Sequence, residues 1–234
     1  MPLTQLRRAG LELARSLAHL APQRPVIVAV PRRGVVVARE ISQALHAELD
    51  VVLAAKVFID RETAGPIGAV ALGGVHVIDE LAAAAQGLRP ADVEAAVDAT
   101  ERRLGERLPV VRGNIAMPEL RDRLVILVDD AAISGLTMQV AIGAVSQRSP
   151  ARILVALGLC SRVAGQRLAA RSAEVYAVDW QQHAEAAKRH DAAAIALCPP
   201  LSDEEVHTML RCGWARRPLA DGGLELDGLS AQER

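Results

Sequence analysis

Short runs of consecutive apolar residues alternate with stretches in which apolar positions recur every three or four residues. The first run, VIVAV at 26–30, leads into Pro31-Arg32-Arg33-Gly34 and a helical pattern from Val35 to His46. A second run occupies 51–57 (VVLAAKV), followed by a polar loop with Gly and Pro at 58–66. Residues 67–79 (IGAVALGGVHVID) read as two short strands around a Leu-Gly-Gly turn. An Ala- and charge-rich stretch from Pro90 to about Arg112 predicts a helix with the proline in its first turn. Strand 123–128, helix 135–148, strand 152–159, helix 161–171 and strand 173–178 continue the alternation. Ser202-Asp203-Glu204-Glu205 marks one more helix start, with acids in the first turn. Apolar strands alternating with helices predict an α/β fold, a parallel sheet covered on both faces with right-handed crossovers. Near the N-terminus, Arg7, Arg8 and Arg15 interrupt apolar positions at helical spacing, which predicts an amphipathic helix with Thr4 at its cap rather than a signal peptide. The expected organisation is one domain over 1–215, with a hairpin attachment at about 67–80, and a loosely held polar tail at 216–234.

Composition narrows this picture. Hydrophobic residues make up 51% of the chain and aromatic residues 2%, so the core must be aliphatic. A net charge of −1 gives no reason to expect a nucleic-acid or membrane surface. No apolar run approaches the roughly 18–20 residues that span a bilayer. The three cysteines, Cys160, Cys198 and Cys212, are scattered and odd in number, as expected of reduced thiols in a cytoplasmic protein. Among the six histidines only His183 and His190 can share a helix face, and no acid or cysteine completes a metal set beside them. Cys160 has no evident base and reads as packing.

The segment that carries chemistry is VILVDDAAISGLT, residues 125–137. Four apolar residues run into Asp129 and Asp130, and Ser134-Gly135-Leu136-Thr137 then opens a helix. Ligands of open α/β sheets sit beyond the carboxyl ends of strands, where two carboxylates suit sugar hydroxyls. The free N–H groups and positive dipole end of the following helix suit a phosphate. A sugar phosphate satisfies both. The plainer reading is that the acids end a strand and Ser134 caps a helix.

This segment resembles the motif that binds phosphoribosyl pyrophosphate (PRPP) in type I phosphoribosyltransferases. The upstream stretch 26–57, with its strand, Pro-Arg-Arg-Gly turn, helix and strand, resembles a bacterial branch of that family, and IGAVALGGVHVIDE at 67–80 matches its Gly-rich hairpin. The resemblance runs over roughly residues 5–180. It implies a Rossmann-like parallel sheet flanked by helices on both faces, with a small hood or hairpin attachment. It also implies that Asp129 and Asp130 hold the ribose hydroxyls and that Ser134, Gly135, Leu136 and Thr137 hold the 5′-phosphate. Arg32, Arg33 and Lys56 then fall at the pyrophosphate, and Trp180 falls where an aromatic stacks on the acceptor base; the alternative for Trp180 is a half-buried packing role. The implied cofactor is Mg²⁺ carried by PRPP, touched at most by Asp129 and Asp130. The implied partners are small molecules, PRPP and an unidentified acceptor, in a chain that can form a homo-oligomer.

Departures from the pattern keep two functions open. Arg33 stands where the branch has Gly, in a turn that meets pyrophosphate through its backbone, so its side chain either blocks the turn or adds charge. Ala55 replaces an Arg and Ala131 a Gly. Ile133 occupies the place of the catalytic Asp of purine-salvage members, so no general base is assigned. The loop at 58–66 lacks the branch's composition, leaving Arg61 or Glu62 as candidates to reach over the site. The expected function is transfer of a 5-phosphoribosyl group from PRPP to a nitrogen acceptor with release of pyrophosphate. The alternative is a non-catalytic PRPP or nucleotide sensor, and a generic sugar-phosphate enzyme is a third possibility.

Overall fold

The computed structural model describes residues 3–60, 65–171, 174–182 and 200–214, the side chains of 212–214 excepted. Arg61, Glu62, His183, His190, Cys198, the Cys212 side chain and the proposed tail at 216–234 lie outside the described residues. In chain order the elements are α1 (Leu3–Leu17), a 3-10 turn (Ala18–Gln23), β1 (Val26–Ala29), α2 (Gly34–Leu45), β2 (Glu48–Val51), β3 (Ala54–Val57), β4 (Gly68–Ala71) and β5 (Val75–Ile78). They continue as α3 (Glu80–Ala85), α4 (Pro90–Arg112), β6 (Leu124–Ala132), α5 (Leu136–Ser146), β7 (Arg152–Ser161), α6 (Arg162–Ala169), β8 (Glu174–Gln181) and α7 (Asp203–Trp214).

Five strands form a wholly parallel sheet in the order β2-β1-β6-β7-β8. Its inner strands β1, β6 and β7 carry long apolar runs because both their faces are covered, as the sequence predicts, whereas the edge strand β8 is only partly buried. Ile27 and Ala29 of β1, with Ile126 and Val128 of β6, face a core shared with α1, α2, α4 and α7. The alternate residues Val26, Val28, Val125 and Leu127 face a second core with α5 and α6. Among the described residues no helix is long and apolar enough to cross a membrane.

Three expectations change. The run at 51–57 is not one strand. β2 ends at Val51, where Val52 N–H still donates to Ala29 C=O, and Leu53 C=O then accepts from Leu72 N–H. β3 thereby joins a separate antiparallel sheet, β3-β4-β5, whose last two strands are the hairpin seen in the sequence. An apolar run shows that a strand is buried but not which strand it pairs with. Strand 123–128 is longer than expected, because β7 continues the ladder to Ala132↔Cys160 and keeps Asp129 and Asp130 inside β6. Thr4 lies in the first turn of α1, which begins at Leu3, rather than at its cap.

Candidate functional site

Two loops at the carboxyl end of the parallel sheet face one another. The first is the turn from β1 into α2, Val30 to Arg33, in which the Pro31–Arg32 peptide is cis. The second runs from β6 into α5. Gly34 opens α2 hard against β6: a Cβ there would stand 2.9 Å from Asp129 Oδ1, 3.0 Å from Asp129 Cα and 3.2 Å from Val128 O. Only a residue without a side chain brings the start of α2 that close to the acids.

The second loop is held from behind. Gly135 is the N-cap of α5 at φ +79°, the left-handed conformation that glycine adopts without strain. Ser134 Oγ accepts from Leu136 N–H at 3.4 Å, a long bond that leaves the rest of the first turn of α5 with the unsatisfied N–H groups of any helix start. The Ser161 hydroxyl donates to Ile133 C=O and accepts from Ala164 N–H at 3.0 Å. Arg167 donates to Ser134 C=O at 3.0 Å. Ser161 thus caps α6 and fixes the loop before α5 with one side chain.

These loops enclose a cavity of about 410 Å³. Its lining brings together Arg32, Arg33, Lys56, Asp129, Asp130 and residues 134–137, nine positions that the sequence singled out. Phe58, Arg107 and Pro200 also line it, and sequence reasoning missed them. Phe58 is the chain's single phenylalanine and directly follows β3, a signal that could have been used. Arg107 sits mid-helix in α4 and carries no local signal. Trp180 does not line this cavity. It lies in β8 opposite Cys160, 47% exposed, with its ring where a Cβ on Gly165 would be.

Charge is arranged unevenly around the cavity. Arg33 Nη2 lies 2.7 Å from Asp130 Oδ2, so the residue that departs from the Gly pattern reaches across to an acid. Asp130 N–H donates to Asp129 Oδ1 at 2.8 Å. The Asp129 carboxyl is held well above the usual carboxylate range, by burial first and by the Asp130 charge second, with Arg33 pulling the other way. At another part of the lining, Arg107 makes a bidentate pair with Asp203 of α7, Nε to Oδ2 at 2.8 Å and Nη2 to Oδ1 at 2.7 Å. Arg107 holds the Asp203 carboxyl below its ordinary range, and the Arg32 charge adds to the effect. Two helix starts, cations and a carboxylate pair around one cavity suit a polyanionic ligand with hydroxyl groups.

No family model matches the chain. It is 32% identical to TT1426 from Thermus thermophilus, whose crystal structure aligns over 90% of this chain and 98% of that one with a TM-score of 0.67. Two Mycobacterium tuberculosis proteins, of strains CDC 1551 / Oshkosh and ATCC 25618 / H37Rv, are each 33% identical over 141 residues and are provisionally named phosphoribosyl transferases. Over that stretch the chain is homologous to proteins named phosphoribosyl transferases. The match to the mycobacterial phosphoribosyl transferases takes up 57% of this chain and 30% of their own length. A purine phosphoribosyltransferase from Pyrococcus horikoshii aligns over 78% of the chain and 86% of its own at 19% identity, with a TM-score of 0.45.

Proposed function

We propose that the chain binds PRPP in the cavity and transfers its 5-phosphoribosyl group to a nitrogen acceptor, releasing pyrophosphate. The observation that carries this reading is the convergence of Asp129, Asp130, the start of α5, Arg32 and Lys56 on one cavity. In this reading residues 134–137 hold the 5′-phosphate through backbone N–H groups, the two acids hold the ribose hydroxyls, and Arg32 and Lys56 meet the pyrophosphate. Bond cleavage at the anomeric carbon develops positive charge on the ribose and negative charge on the leaving group. In this reading the acids lie beside the first and Arg32 and Lys56 beside the second, an arrangement that favours charge separation by position.

Mg²⁺ fits this donor set. The adjacent carboxylates at 129 and 130 are hard oxygen ligands, and a nearby cation would offset both the burial and the Asp130 charge that raise the Asp129 pKa. Asp129 or Asp130 would share the ion with the pyrophosphate of the ligand, where it would neutralise charge on the leaving group.

One observation favours a second reading, a PRPP or nucleotide sensor without turnover: the Arg33–Asp130 pair already occupies a carboxylate that the transferase needs for ribose. Release of pyrophosphate from PRPP, measured with Mg²⁺ and a panel of nucleobases, decides between them. Turnover with any acceptor supports the transferase. Calorimetric binding of PRPP without turnover supports the sensor, and absence of binding overturns both.

A further inference from the structure

The cations of the cavity are not equivalent. Arg33 is committed to Asp130 at 2.7 Å, on the acidic side. Lys56 stands on β3, and Arg32 in the turn before α2. Arg107 belongs with these last two. Its helix, α4, packs against β3, while α7, which supplies Asp203, packs against α2 and β2. The Arg107–Asp203 pair therefore sits between the element bearing Lys56 and the helix that follows Arg32. Arg32 and Arg107 line the same cavity, and the Arg32 charge adds to the lowering of the Asp203 pKa.

Tying α4 to α7 accounts for part of this geometry but not for all of it. Asp203 takes the Nε and Nη2 protons of Arg107, and among the described residues none takes those of Nη1. The side chain is only 24% exposed, and the exposed part contributes to the cavity wall. A guanidinium anchored along one edge is pre-ordered to donate from the other, and so loses little rotamer freedom on meeting a phosphate. Asp203 also tempers the local positive charge until a ligand brings its own negative charge.

We infer that Arg107, oriented by Asp203, is a further anion-binding residue of the cavity and contacts the diphosphate end of the ligand together with Arg32 and Lys56. This rests on the PRPP reading and adds to it a residue from α4 and a positioning residue from α7.

The test uses the full chain, with magnesium pyrophosphate and ribose 5-phosphate as separate calorimetric probes. Arg107→Gln should weaken pyrophosphate binding by about tenfold to a hundredfold, the range for one lost charge-assisted contact, and leave ribose 5-phosphate binding unchanged. Asp203→Asn removes the opposing charge but keeps an amide oxygen that accepts from Arg107, so the guanidinium stays oriented and pyrophosphate binding should hold or tighten. Arg107→Lys should fall between the parent and Arg107→Gln. Equal losses in Arg107→Gln and Asp203→Asn would show a purely structural pair and overturn the inference. So would an unchanged pyrophosphate affinity in Arg107→Gln. If Arg107→Gln does not fold, the other two variants decide: Arg107→Lys weaker than parent with Asp203→Asn undiminished supports the inference, and any other order overturns it. A parent protein that binds ribose 5-phosphate but not pyrophosphate overturns this inference alone, and one that binds neither overturns the PRPP reading with it.

Discussion

Arg33 Nη2 and Asp130 Oδ2 are 2.7 Å apart, and their side chains are only 9% and 12% exposed. The pair joins the turn after β1 to the end of β6 across the mouth of the parallel sheet. A buried pair broken from one side leaves a charge without its counter-ion, at a cost of several kcal/mol. Arg33→Met should therefore destabilise the protein by about 3 kcal/mol, read as a lower urea midpoint at unchanged slope. Its effect on PRPP separates the two functions. A working transferase loses affinity when Asp130 is no longer oriented, whereas a turn blocked by Arg33 gains affinity when the guanidinium is removed.

Asp129 should show the opposite balance of stability and function. A carboxyl whose folded pKa lies above its unfolded value binds its proton more tightly in the native state, so its contribution is intact at low pH and is lost as pH rises above about 4. Asp129→Asn removes that loss while keeping an oxygen that can accept from Asp130 N–H. The variant should be more stable than the parent at pH 7, with the difference shrinking towards pH 4, and should bind PRPP much more weakly. Denaturant titrations at several pH values with parallel calorimetry check both halves. Equal stability throughout would contradict the assigned environment of Asp129.

Gly135→Ala should cost about 1–2 kcal/mol, because φ +79° disfavours an L side chain. The new Cβ would also lie 3.3 Å from Ala164 Cα, a contact that pushes the start of α5 away from α6. Melting temperature should fall by a few degrees, and ribose 5-phosphate affinity should fall with it. A stable variant with parental ribose 5-phosphate affinity would remove this loop from the phosphate site.

Ser161→Ala tests the support behind that loop. It removes the cap of α6 and the bond to Ile133 C=O together, for a loss of about 1–2 kcal/mol. Ribose 5-phosphate binding should weaken severalfold while magnesium pyrophosphate binding stays level, since only the 5′-phosphate end depends on residues 133–135. Equal weakening of both probes would indicate a general loosening of the fold.

How much of this was readable from residues alone follows from how far apart the partners lie. Asp129 to Thr137 are contiguous, so their joint role as strand end and helix start is written in one stretch of sequence. Val26–Ala29 and Arg152–Ser161 were visible for the same reason: being buried on both faces demands unbroken apolar runs. The division of 51–57 between two sheets was not visible, because Val52 and Leu53 are as apolar as their neighbours and only their distant partners, Ala29 and Leu72, distinguish them. Arg107 and Asp203 are 96 residues apart and look like ordinary charges of two amphipathic helices. Trp180 was expected just beyond a strand ending at 178, but β8 runs on to Gln181, and the backbone of Gly165 receives the Trp180 ring, which nothing within β8 announces.

The passage of the chain from one sheet to the other at Val52 and Leu53 sets a fixed gauge. Each residue is bonded to a different sheet, Val52 to Ala29 and Leu53 to Leu72, so there is no slack between the β1 turn and Lys56. Because side chains alternate along a strand, one residue inserted there would turn Lys56 to the opposite face of β3. The two-residue spacer thus fixes where Lys56 stands relative to Arg32, so in the proposed reading the two cations meet a single diphosphate at a set spacing.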